Sequence, residues 1–167
     1  SEGLDARAQM DLIDMKNSPS RGMTVIICII DVFTRQAWCR AAKGKTPAKI
    51  AEVLRPLLNE LPRYPAAIFT DAGNEFTGPV DDLLTEKGIV HQTRSEKHDV
   101  NVLAVVDKAI QTLKTRMAKS IAAEPGEWAD RLKEVTDGYN KTDHATVHGE
   151  PGDVRSHDVQ RFLTYQD

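Results

Sequence analysis

The segment from Met23 to Val32, Met-Thr-Val-Ile-Ile-Cys-Ile-Ile-Asp-Val, constrains the fold more than any other stretch of the chain. Its β-branched and apolar side chains fall at odd and even positions alike, so a strand built from it must be covered on both faces. It belongs at the centre of a sheet. The run falls short of the ~18 to 20 apolar residues of a membrane span, and the N-terminal residues lack the basic-then-apolar order of a signal peptide. At 167 residues and 40% apolar composition, the chain can bury a core around this strand as one domain. Two cysteines, Cys28 and Cys39, make neither a disulfide framework nor a zinc cluster, which fits a reducing, intracellular compartment.

The flanking pattern supplies the other elements. Gln9 to Lys16 reads as a first strand, and Gln36 to Ala42 pairs antiparallel with the central one, giving a three-stranded meander. Thr46-Pro47 has the form of an N-cap followed by proline at the first helical position. Ile50, Val53, Leu54, Leu57, Leu58 and Leu61 then recur at helical spacing, with Pro56 expected to kink or shorten the helix. Ala66 to Thr70 is a short buried strand that delivers Asp71 to a turn. Val80 to Lys87, closed by Gly88, is a helix, and Ile89 to Thr93 a fifth strand. A long basic helix over about Val102 to Ala122 aligns Val102, Val106, Ala109, Leu113 and Met117 in one stripe. Pro125-Gly126 breaks it before an amphipathic helix from Glu127 to Tyr139. The expected fold is α/β, a five-stranded mixed sheet in the order βββαβαβα with helices on both faces. The domain covers residues 1–145, and residues 146–167 form a polar tail or the start of a linker.

Three acids stand at informative places: Asp11 between Met10 and Leu12 of the first strand, Asp71 at the end of the fourth, and Asp107 on the long helix. An acid among apolar strand residues is costly unless it is hydrogen-bonded or holds a cation. If the first and fourth strands are neighbours, Asp11 and Asp71 face one another, and a helix crossing the sheet edge brings Asp107 to them. Such oxygen ligands suit Mg²⁺ or Mn²⁺, and two ions ~3.5 to 4 Å apart would drive an in-line phosphodiester displacement. The same residues also have plain readings: an edge-strand acid, a turn former and a solvated helix position. Asp14, Asp31, Asp81 and Asp82 are rival acids, Asp31 reading mainly as structural. His91, His98 and His144 read as packing or surface residues.

The runs Gln9-Met-Asp-Leu-Ile-Asp-Met15, Val25-Ile-Ile-Cys-Ile-Ile-Asp-Val-Phe-Thr-Arg35 with Trp38, Phe69-Thr-Asp-Ala-Gly-Asn-Glu-Phe76 and Val105-Val-Asp-Lys-Ala-Ile-Gln-Thr-Leu-Lys114 occur in a telling order. Together with Trp128, Tyr139-Asn140 and His144, they make the chain resemble the retroviral-type integrase catalytic core, closest to the cores of retrotransposons and Polinton-like elements. Thirty-five residues separate Asp71 from Asp107, the spacing of that family. The resemblance implies an RNase H-like fold and DNA strand transfer dependent on two Mg²⁺ or Mn²⁺ ions, with Asp11, Asp71 and Asp107 as catalytic and metal-binding residues. It departs at Asp107, where the family has Glu and the side chain is shorter by roughly one 1.5 Å bond, and at Ala72, Leu103 and Ile110. Mariner-type transposases are similar in having Asp third.

The formal charge of −3 argues mildly against a nucleic-acid partner, but it is unevenly spread. Residues 16–63 carry nine basic and three acidic side chains, and residues 94–119 six and three. Lys108, Gln111 and Lys114 lie on the helix of Asp107, the last two on the acid's own face, where they are candidates for DNA phosphates. Expected partners are DNA and a second copy in a homodimer or higher oligomer, with no membrane and no zinc module in what looks like an excised core. A eukaryotic source would place it in the nucleus. The leading function is 3′-end processing and strand transfer by a DNA integrase core. Nucleic-acid hydrolysis by the same site, and a catalytically impaired or domesticated domain kept for DNA binding or dimerisation, are the alternatives.

Overall fold

The computed structural model describes residues 6–93 and 100–142. Its elements in chain order are β1 (Arg7–Asp14), β2 (Val25–Asp31), β3 (Ala37–Ala42), α1 (Pro47–Glu60), β4 (Ala67–Thr70), α2 (Pro79–Glu86), β5 (Val90–Thr93), α3 (Val100–Ala123) and α4 (Trp128–Thr142). The five strands form one sheet in the order β3-β2-β1-β4-β5. β1 pairs antiparallel with β2, and β2 with β3, whereas β4 lies parallel to both β1 and β5. The sheet is therefore mixed, with β1 at its centre. Helices cover both faces, as the apolar run of β2 requires. Ile27 and Ile29 pack with Ile50, Leu54, Leu57 and Leu58 of α1 and with α2, while Ile26, Cys28 and Ile30 pack with α3 and α4. Each fully buried Ile or Leu in these two layers contributes about 1.5–3 kcal/mol.

The helix ends follow local chemistry. Thr46 caps α1 by accepting a hydrogen bond from the Lys49 N–H at 3.4 Å, with Pro47 at the first helical position. Pro56 does not shorten this helix, which runs on to Glu60 because the flanking Leu54, Leu57 and Leu58 are fully buried against the sheet. Packing outweighs the one missing hydrogen bond. Gly88, at φ +73°, takes the left-handed turn after α2. α4 begins with a cap supplied from far away in sequence: the Ser20 hydroxyl accepts from the Ala129 N–H and donates to the Glu127 carboxylate. In the apolar stripe of α3, Val106, Ala109, Leu113 and Met117 are buried, and Ile110 joins them. α3 packs over β1 and β2 near the middle of the sheet, not across its edge as the sequence suggested. His98, His144 and the expected tail at 146–167 lie outside the described residues.

At the open edge of the sheet, Asn140 of α4 stands in for a sixth strand at one position. Its side-chain oxygen accepts from the Ala37 N–H at 2.8 Å, and its amide donates to the Ala37 carbonyl at 3.0 Å. Between β2 and β3, Asp31 accepts from the N–H groups of Phe33 and Thr34, each at 2.8 Å, so its role is structural as the sequence suggested. The same connection holds Arg35 at φ +64° with its side chain buried. Burial lowers the guanidinium from its usual value to about 10, and its carbonyl accepts from the Tyr139 hydroxyl.

Candidate active site

Alternation along β1 decides which acids can meet. Ala8 and Met10 face the α1/α2 layer, so Arg7, Gln9, Asp11 and Ile13 face α3 and α4. In the parallel β1–β4 pair, Gln9 lies opposite Phe69. That pairing stops two residues short of both acids: Asp11 lies within β1, on the face of Gln9, and Asp71 lies just past the end of β4. Asp11 is partly buried and Asp71 exposed, the latter held at the start of the loop that turns through Asn74–Phe76. Asn74, Glu75 and Phe76 thus shape the turn after Asp71, as expected from sequence.

α3 lies on the same face. The buried amide of Gln9, 2% exposed, donates from Nε2 to the Asp107 carboxylate at 3.1 Å. Seven residues further along the helix, Lys114 Nζ lies 3.2 Å from the Asp11 carboxylate, an ion pair with both side chains about a quarter to a third exposed (30% and 26%). The other Asp11 oxygen accepts from the Leu12 N–H at 2.8 Å. Asp107 and Lys114, two turns apart, thereby lie along the Gln9–Asp11 face of β1. Gln111 is exposed one turn from each, and Lys108 is exposed beside Asp107.

Two features of this arrangement were not visible in the sequence. The first is that both carboxylates from β1 and α3 already have protein partners, Lys114 and Gln9. Among the described residues, no three His, Cys, Asp or Glu side chains stand close enough together to hold a metal ion between them. The second is a hydrogen-bonded chain behind Asp71. Asp81 Oδ1 lies 2.6 Å from His91 Nδ1, His91 Nε2 lies 2.7 Å from Thr70 Oγ1, and that hydroxyl donates to the Asp71 carbonyl at 2.8 Å. Asp81 is thus paired with His91, and Asp14 with Lys45 at 3.1 Å. Across β2 from Asp11 lies Cys28, whose thiol is pushed well above its ordinary range by its hydrogen bond with Cys39 and by burial.

The donor set suits a hard divalent cation. Such ions are commonly held by one or two carboxylates, with water or substrate oxygens completing the shell; Asp11 lies within β1 and Asp71 just past the end of the neighbouring β4. Lys114 already places a positive charge against one of them. Gln9 holds Asp107 through its amide hydrogen bond. Replacing Gln9 with Leu keeps its volume and removes the amide donor, and is expected to weaken Mn²⁺ binding by about 10–100-fold. Calorimetric titration checks this. An unchanged affinity would show that the Gln9 amide does not position Asp107 for the ion.

Comparison with known proteins bears on the fold. No family model matches the chain. It is 30% identical over 138 residues to an uncharacterised transposon-derived protein of Caenorhabditis elegans, an alignment covering 82% of this chain and 48% of that protein. The chain thus spans about half the length of the curated relative it matches. Among solved structures it superposes on the catalytic core domain of BIV integrase with a TM-score of 0.67 at 17% identity, covering 95% of this chain and 97% of that one. The strand order, the mixed pairing and this superposition together establish that the chain has the RNase H-like fold of an integrase catalytic core.

Proposed function

We propose that the protein is a divalent-metal-dependent polynucleotidyl transferase that cuts and joins DNA strands, with Asp11, Asp71 and Asp107 as its carboxylates. The observation that supports this reading is the β1–β4 register, which pairs Gln9 with Phe69, two residues before Asp11 and Asp71, while Gln9 reaches Asp107 on the same face. Bound ions of the Mg²⁺ or Mn²⁺ type supply the chemistry of the step, lowering the pKa of the attacking hydroxyl or water and neutralising the leaving oxygen. The chain's own residues do the rest. Asp11 and Asp71 hold the charge in place, and Gln9 keeps Asp107 aimed at the same face. Lys114 neutralises Asp11 before the site is loaded and is released to pair with a DNA phosphate afterwards. Gln111 and Lys108 are exposed on the same helix and meet the backbone beside the cut. A homodimer or higher oligomer, and residence in the nucleus of a eukaryotic cell, belong to this reading as well.

The test is joining of a short DNA duplex to a plasmid in Mn²⁺. The reading predicts joined product that disappears with EDTA. Absence of both cutting and joining, with DNA binding intact, would favour a domesticated DNA-binding domain, and cutting without joining would favour a hydrolase. Lys114 gives a second, opposite-signed expectation. In Lys114→Met, Mn²⁺ binds more tightly because the competing ammonium is gone, while the slope of log affinity for DNA against log salt becomes shallower by about one. Isothermal titration and fluorescence anisotropy read the two effects separately. A loss in both would mean that Lys114 merely supports the fold.

A further inference from the structure

Cys28 and Cys39 are direct cross-strand partners in the β2–β3 pair, with their sulfurs 3.3 Å apart. The pairing is of the narrow kind. Ala37 directs its N–H and carbonyl outward to Asn140, while the carbonyls of Gln36 and Ala42 accept from Asp31 and Thr24 of the neighbouring strand. By that alternation the main-chain groups of Cys39 also point outward, so Cys28 and Cys39 form a non-hydrogen-bonded pair. Their Cα atoms then lie about 4.5 Å apart. Disulfides accept Cα separations from about 4.4 Å upward, so the sulfurs need to close by only a little over 1 Å to reach the ~2.05 Å bond length. Access is one-sided. Cys28 is 1% exposed, whereas Cys39 is partly exposed and lines a cavity of about 620 Å³ between β3 and α4, bordered by Arg40, Leu132, Thr136 and Asn140.

We propose that this pair is an oxidative modification site, in which hydrogen peroxide entering from the β3–α4 cavity converts the two thiols to an intramolecular disulfide. The Cys39 sulfur attacks one peroxide oxygen, the O–O bond breaks, and a sulfenic acid and one water result. The Cys28 sulfur then attacks the Cys39 sulfur, the S–O bond breaks, and a second water leaves with the Cys28 proton. Two thiols lose two electrons and two hydrogens, and one peroxide becomes two waters. The disulfide ties the open-edge strand to β2, one residue across the sheet from Asp11. This inference needs no metal and stands apart from the proposed transferase activity.

The experiment treats the native, reduced chain with excess hydrogen peroxide, denatures it, alkylates the remaining thiols and measures the intact mass. The expected product is a monomer that has lost two hydrogens, takes up no alkyl group and regains both thiols with dithiothreitol. In Cys28→Ser, which keeps the shape of the site, Cys39 is expected to stop at the sulfenic acid and react with dimedone, whereas in Cys39→Ser the thiol of Cys28 stays alkylatable. Two alkylatable thiols after treatment, or disulfides formed only between chains, would overturn the proposal.

Discussion

Asp71→Asn is expected to abolish divalent-ion binding in a calorimetric titration and to lower DNA strand transfer by about three orders of magnitude or more, with the melting midpoint unmoved. Asn has the size of Asp without its charge. The side chain is exposed just past the end of β4 and lies outside both apolar layers. The chain of hydrogen bonds from Asp81 through His91 and Thr70 ends on the Asp71 backbone carbonyl, which the substitution leaves in place. A loss of activity accompanied by unfolding would assign Asp71 to structure. Retained Mn²⁺ binding would remove it from the site.

The largest stability effect is expected at the start of α4. Trp128 is 4% exposed at the first turn of α4, packs in the layer with Ile26, Cys28 and Leu113, and donates its indole N–H to the Ser18 carbonyl in the β1–β2 connection. Trp128→Ala removes the ring and leaves that carbonyl to find another donor, a cost of about 3–5 kcal/mol. Against a total stability of about 5–15 kcal/mol for a domain, this is a large fraction. Urea denaturation followed by circular dichroism checks it. Trp128→Phe, which keeps most of the apolar contact and loses the donor, is expected to cost less than Ala. A midpoint unchanged by both would mean that α4 is held by Tyr139, Asn140 and the Ser20 cap alone.

The elements most legible in the sequence were those whose signal is local. The doubly apolar run ending at Asp31 could only be an inner strand. The Thr46-Pro47 cap fixed the start of α1, and the stripe from Val106 to Met117 fixed the buried side of α3. Strand adjacency was also within reach, because an inner β1 and a buried β4 ending in Asp71 leave few parallel pairings. What the sequence hid depends on register and on partners far apart in the chain. Asp107 is bonded to Gln9 across 98 positions, and Ser20 caps a helix 109 positions away. Neither contact has a local signature. Cys28 and Cys39 looked like two unrelated thiols until antiparallel pairing set them opposite one another. Asp81 was one of several rival acids, and its pairing with His91 could not be read from the sequence. The path of α3 over the middle of the sheet rather than its edge follows from Ile110 joining the stripe and widening the face that must be buried.

The account turns on whether Asp11 of β1 and Asp71 just after β4 share an ion. The most direct test is a crystal of the protein soaked in Mn²⁺, with data collected at the manganese absorption edge. The predicted result is an anomalous peak within bonding distance of both Asp11 and Asp71, with Lys114 Nζ withdrawn from the Asp11 carboxylate. Manganese bound elsewhere, or none at all while the Lys114–Asp11 pair stays closed, would contradict it.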